Sequence, residues 1–107
     1  MSASACVAFL GLCFEISIDE LEDPAEPRKR AAIKAGLKYY AGNFGGLDER
    51  YMLFIGAKLA ILGPENERAV SLTADELKAL LASTTQKLQA AGFTGVPALH
   101  LQWEEDV

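Results

Sequence analysis

The side chains in this sequence that carry chemistry in other proteins are few: one histidine, His100, two cysteines, Cys6 and Cys13, a tyrosine pair at Tyr39-Tyr40 and one tryptophan, Trp103. A histidine acts as a general base when a substrate pocket and an orienting carboxylate accompany it. Glu15 and Glu104 are the acids to consider, and no spacing brings either to His100. With a single histidine no His-rich or ordinary Cys-His metal site can be assembled, and a mixed site would need Cys6 and Cys13 to converge. Seven residues apart on one extended strand, their Cα atoms lie on the order of 20 Å from each other, and the odd separation points them to opposite faces. Neither a disulfide nor a metal pair follows, and no metal or cofactor is expected. Both cysteines read as small core-filling thiols in a reducing compartment.

Glycine chemistry is equally sparse. Gly42-Asn43-Phe44-Gly45-Gly46 lacks the Lys-Ser/Thr of a phosphate loop and precedes no helix signal, which excludes nucleotide binding of that type. Its permissive backbone instead predicts a mobile connection flanked by Tyr39, Tyr40 and Phe44.

Composition narrows the classes further. The chain has 107 residues, half of them hydrophobic and 23% charged, which suits one domain over residues 1–107 with its own core. A net charge of −5 and a pI of about 4.8 oppose binding to nucleic acid or anionic membrane, both of which need a positive field. Phe9, Phe14 and Phe54 with a single Lys58 also fall short of the interleaved aromatic and basic residues of an RNA-reading sheet. No Lys or Arg precedes Arg28, so the apolar run Cys6–Phe14 lacks the basic n-region of a secretory signal. It is also shorter than the ~20 residues of a spanning helix. A cytoplasmic protein is expected.

The elements that must position these side chains are more legible. Phe9-Leu10-Gly11-Leu12-Cys13-Phe14-Glu15-Ile16 and Phe54-Ile55-Gly56-Ala57-Lys58-Leu59-Ala60-Ile61 share one pattern, with Gly in third place. A glycine inside a strand marks a bulge or a close backbone approach. The first run predicts a strand over Cys6–Ile18, apolar on both faces and therefore central. The second predicts a strand over Tyr51–Leu62. Between them, Pro24 and Pro27 introduce a helix over Arg28–Ala41, with Ala32, Ile33, Leu37 and Tyr40 inward and Gly42 as its cap. Half of the ten basic residues, Arg28, Lys29, Arg30, Lys34 and Lys38, fall on this helix. Gly63-Pro64-Glu65-Asn66 predicts a tight turn, and Ala69-Val70-Ser71-Leu72 a short strand closing a hairpin. Thr73-Ala74-Asp75-Glu76 forms a capping box for a helix over residues 73–91, ended by Gly92 with Phe93 in a Schellman contact. A last strand runs from Val96 to Glu104, with Pro97 favouring an edge, before a frayed acidic tail of Glu104, Glu105 and Asp106.

The resulting order is the ferredoxin-like βαββαβ plan, an α+β fold with two helices on one face of a four-stranded antiparallel sheet. In that plan the first and third strands are central, whereas the second apolar run is placed here as the second strand, an edge. Covering by a partner, or another topology, would resolve the conflict. Val7, Phe9, Met52 and Phe54 on the face away from the helices form an apolar patch of the kind that marks an interface, and a homodimer is the simplest use of it.

These features define a small acidic non-enzymatic protein-binding domain of the inhibitor, immunity or regulatory-subunit type. It would dock on another protein or on itself through the sheet face or the basic helix, with Arg28, Lys29, Arg30, Lys34, Lys38, Tyr39 and Phe44 as contacts. The competing expectation is a cofactorless enzyme or ligand-binding protein of the dimeric α+β barrel type, with Tyr39, Tyr40, His100 and Trp103 lining one pocket. Fold analogy is its warrant.

Overall fold

The computed structural model describes residues 4–105 and is an α+β structure built on one open four-stranded antiparallel sheet. In chain order the elements are β1 (Ala5–Glu15), α1 (Ile18–Glu22), α2 (Pro27–Lys34), β2 (Lys38–Asn43), a 3-10 turn (Gly46–Asp48), β3 (Tyr51–Leu62), α3 (Ala74–Ala90) and β4 (Ala98–Glu104). Strands lie side by side as β2-β3-β1-β4. Asp106 of the expected acidic tail lies outside the described residues, and Glu104 is the last residue of β4. Among the described residues no helix is long and apolar enough to cross a membrane.

The two glycine-centred runs face each other at the centre of the sheet. Gly11 pairs directly with Gly56 across β1 and β3, at φ of +158° and +150°. A Cβ on Gly11 would stand 2.0 Å from the Ile55 carbonyl oxygen, and one on Gly56 2.2 Å from that of Leu10. Only hydrogen side chains fit there. Two residues further along, the register shifts: Ala8 pairs with Ala60 but Phe9 with Lys58, leaving Leu59 as a bulge. The bulge moves Ala60 to the face of Ala8 and turns Ile61 to the face of Val7, reversing the simple alternation expected over Tyr51–Leu62.

Two expected elements are corrected. The helix expected to reach Ala41 stops at Lys34, because Gly36 takes the left-handed conformation at φ +78° and the Leu37 amide donates to the Ala32 carbonyl in a Schellman cap. The chain emerging from that cap, rich in β-favouring tyrosine, becomes β2 and pairs Tyr39 with Ile55 and Tyr40 with Phe54. The strand expected at Ala69–Leu72 does not form, since both edges of β3 are already taken by β2 and β1. Only the turn survives, with an isolated Leu62–Glu67 bridge. The long second apolar run is thus the third strand in chain order and sits centrally, which removes the conflict noted above without a partner covering it.

A short helix was absent from the expectations. Ser17 accepts from the Glu20 amide while the Glu20 carboxylate accepts from the Ser17 amide, so Ser17-Ile18-Asp19-Glu20 is a second capping box and starts α1. The box at Thr73 starts α3 as expected, and Gly92 and Phe93 end it with the Phe93 amide donating to the Leu88 carbonyl. The main core lies between sheet and helices, where Leu12, Ile16, Leu53 and Ile55 meet Ala32 and Leu37 around α2 and Leu88 of α3.

Candidate interaction surfaces

The face of the sheet away from the helices is already filled by the chain itself. Val7, Phe9 and Phe54 are 0%, 0% and 1% exposed, packed by Cys13, Tyr40, Phe44 and Met52. Their rings form a continuous set: Phe9 stacks on Phe54 at 5.8 Å, Phe44 meets Phe54 edge-on at 5.3 Å, and Tyr40 and His100 follow at 6.2 Å from Phe44 and 5.7 Å from Phe54. These separations suit attractive aromatic contact. Over them the Tyr40 hydroxyl of β2 donates to Glu104 Oε1 of β4. The strands that bear these two residues are the two edges, about 14 Å apart on a flat sheet. The bond therefore requires the sheet to curl, which its native twist and the Leu59 bulge promote. The apolar patch expected from Val7, Phe9, Met52 and Phe54 is accordingly corrected: the edge strands fold over it.

The chemistry left at this face is small. Burial and the Glu104 carboxylate both push the Tyr40 phenol pKa upward, and burial raises the Cys13 thiol against the opposing effect of Arg50. His100 Nε2 lies 3.2 Å from the Gly11 carbonyl and serves as a donor to it. The cavity lined by Phe44, Arg50, Met52 and Gln102 measures about 70 Å³, room for a water or two against the ~300 Å³ and more of ligand pockets.

The four residues considered for a shared pocket are divided by strand alternation. Tyr40 and His100 belong to the filled face, while Tyr39 packs on the helix side against the main core. Trp103 pairs with Cys6, which places it on the helix side too, at the opposite edge from Tyr39. Among the described residues no group of three or more His, Cys, Asp or Glu is placed to hold a metal ion.

The basic set is divided as well. Lys29 is 3% exposed, and its ammonium donates to the Glu20, Leu21 and Asp23 carbonyls at 2.8, 2.9 and 2.9 Å, capping α1. Arg28 pairs with Glu20 at 2.9 Å and Glu26 at 2.6 Å, its guanidinium over the Phe14 ring. Both are committed within the fold. Arg30, Lys34 and Lys38 remain exposed on α2 and at the start of β2. Beside them a groove of about 400 Å³ is lined by Ala31, Lys34, Ala35, Lys87, Ala90 and Ala91. Tyr39 sits under the Lys29 ammonium on the helix side, and Phe44 is on the other face.

A surface not singled out from the sequence lies on β4. Leu99, Leu101 and Trp103 pair with Leu10, Ala8 and Cys6 of β1 and share their face. Leu10 and Ala8 are buried, but the β4 residues, one strand further out, are 48%, 66% and 57% exposed. The difference arises because α3 packs chiefly on β1 and β3, further in from this edge. Among the described residues no strand pairs with the outer edge of β4. An unpaired edge normally carries lysine, proline or a covering element. β2, the other edge, begins with Lys38 and is packed by α2, whereas β4 is uncharged between Pro97 and Glu104, and the Glu104 carboxylate is turned across the sheet to Tyr40. The alternation of Leu99, Leu101 and Trp103 was visible in the sequence, and what it lacked was the position of α3.

No family model, curated protein or solved structure matches this chain.

Proposed function

We propose that this chain is a small non-enzymatic protein-binding domain that docks by strand addition at β4. The observation that carries it is an unprotected sheet edge coinciding with an outward stripe of Leu99, Leu101 and Trp103. A partner strand there completes backbone hydrogen bonds, and the stripe supplies apolar and aromatic anchoring. The placement of the site residues supports this over the enzyme alternative, because Tyr40 and His100 lie on a filled face away from Tyr39 and Trp103.

The same proposal takes the fold as the ferredoxin-like plan. Support comes from β1 and β3 at the centre, β2 and β4 at the edges, antiparallel pairing throughout, and helical segments between β1 and β2 and between β3 and β4. Two free cysteines favour a reducing, cytoplasmic setting.

Affinity capture with three baits tests the proposal: the native chain, Leu101→Lys, and the double reversal Arg30→Glu with Lys34→Glu. A protein retained by the native chain and the reversal but lost by Leu101→Lys is the expected result. Retention that survives Leu101→Lys and fails with the reversal would move docking to the basic helix and overturn the β4 assignment.

A further inference from the structure

We infer that the strand added at β4 is β4 of a second copy, related by a two-fold axis through Leu101. This rests on the reading of β4 as the docking edge and names its occupant. In an antiparallel pair of identical strands the residue on the axis faces itself, and residues equally far on either side face each other. Centred on Leu101, the pairing sets Leu99 opposite Trp103 of the second copy and Trp103 opposite its Leu99. All three outward apolar residues then find apolar counterparts.

Neighbouring registers do worse. An axis at His100 sets Trp103 opposite Pro97, and one at Gln102 sets Leu99 opposite the charged Glu105. The Leu101 register also resolves the charges: His100 faces Gln102, Ala98 faces Glu104 and Pro97 faces Glu105, so no carboxylate meets another in a chain of net charge −5. Because such an axis runs perpendicular to the sheet, both sets of helices fall on one side. The two stripes merge into one row of six apolar side chains on that same side. The product is an eight-stranded sheet ordered β2-β3-β1-β4-β4-β1-β3-β2.

The register is tested by cysteine cross-linking under mild oxidation in a chain whose Cys6 and Cys13 are replaced by alanine. Across the axis the two Cα atoms at position 101 would be about 4.5–5.5 Å apart, within disulfide reach. Those at position 99 would be about 14 Å apart. Leu101→Cys should link to a dimer in high yield, Leu99→Cys alone should not, and Leu99→Cys mixed with Trp103→Cys should link again. Light scattering on the unmodified chain should give twice the monomer mass, falling to the monomer in Leu101→Lys. A dimer by scattering with no link at position 101 would overturn this register. A monomer at every concentration would overturn the second copy as occupant, while Leu101-dependent capture of a different protein would leave the docking edge itself standing.

Discussion

Tyr40 of β2 and Glu104 of β4 stand on opposite edges of a four-stranded sheet and are joined by a hydrogen bond across its face. The contact makes that face an internal surface: Phe9 and Phe54 are buried beneath it, packed among the described residues by strand and loop side chains rather than by a helix. It also uses the one carboxylate of β4, leaving the segment before it uncharged. Gly42 belongs to the same arrangement, since a Cβ there would meet the Glu104 carboxylate at 2.3 Å.

Replacing Tyr40 by phenylalanine should cost about 1–2 kcal/mol at neutral pH, the net worth of a half-buried hydrogen bond to a charged acceptor. The folded chain holds the Tyr40 proton more tightly than the unfolded one. The stabilisation is therefore complete at neutral pH and declines as pH rises above about 10, where the unfolded phenol ionises first. Tyr51 is shifted in the same direction, so Tyr40→Phe should flatten the alkaline fall in urea-measured stability without abolishing it. An unchanged alkaline slope would remove the contact from the account.

Alanine at Gly11 or at Gly56 should each cost about 3 kcal/mol, because the new methyl meets backbone in the opposite strand at a φ that L-residues avoid. Thermal unfolding measures this. A loss below about 1 kcal/mol would mean that β1 and β3 separate more readily than the pairing implies.

Lysines on α2 should divide by role. Lys29→Met leaves three carbonyls at the end of α1 without their donor and should lose about 2–3 kcal/mol, with faster amide exchange over residues 18–22. The exposed pair Arg30→Glu and Lys34→Glu should shift Tm little, as surface charges contribute little to stability. Equal losses from both would show that Lys29 is not the strut described.

Much of this architecture was readable from residues. The glycine-centred runs at Gly11 and Gly56, the Thr73 capping box and the Gly92-Phe93 stop are local signals that the structure keeps. Ser17-Ile18-Asp19-Glu20 is equally readable as a pattern, but Ser17 and Ile18 also extend the strand expected over Cys6–Ile18, which divides the box. Tyr39 and Tyr40 were harder, because Lys34, Leu37 and Lys38 continue a helical spacing that is broken only by Gly36 taking a left-handed turn. Ala69–Leu72 illustrates the converse, a β-compatible segment that found no free edge. The candidate surface was the least legible part. Leu99, Leu101 and Trp103 display their alternation openly, but whether such a stripe is core or surface depends on how far α3 extends across the sheet, and local sequence does not encode that distance.

Trp103 is the chain's one tryptophan and stands on the proposed interface, so its emission maximum across a dilution series tests the account most directly. The prediction is a water-exposed spectrum in dilute solution that moves to the blue as concentration rises, and a spectrum that stays red throughout in Leu101→Lys. An emission maximum independent of concentration and unaltered by Leu101→Lys would contradict docking of a second copy at β4.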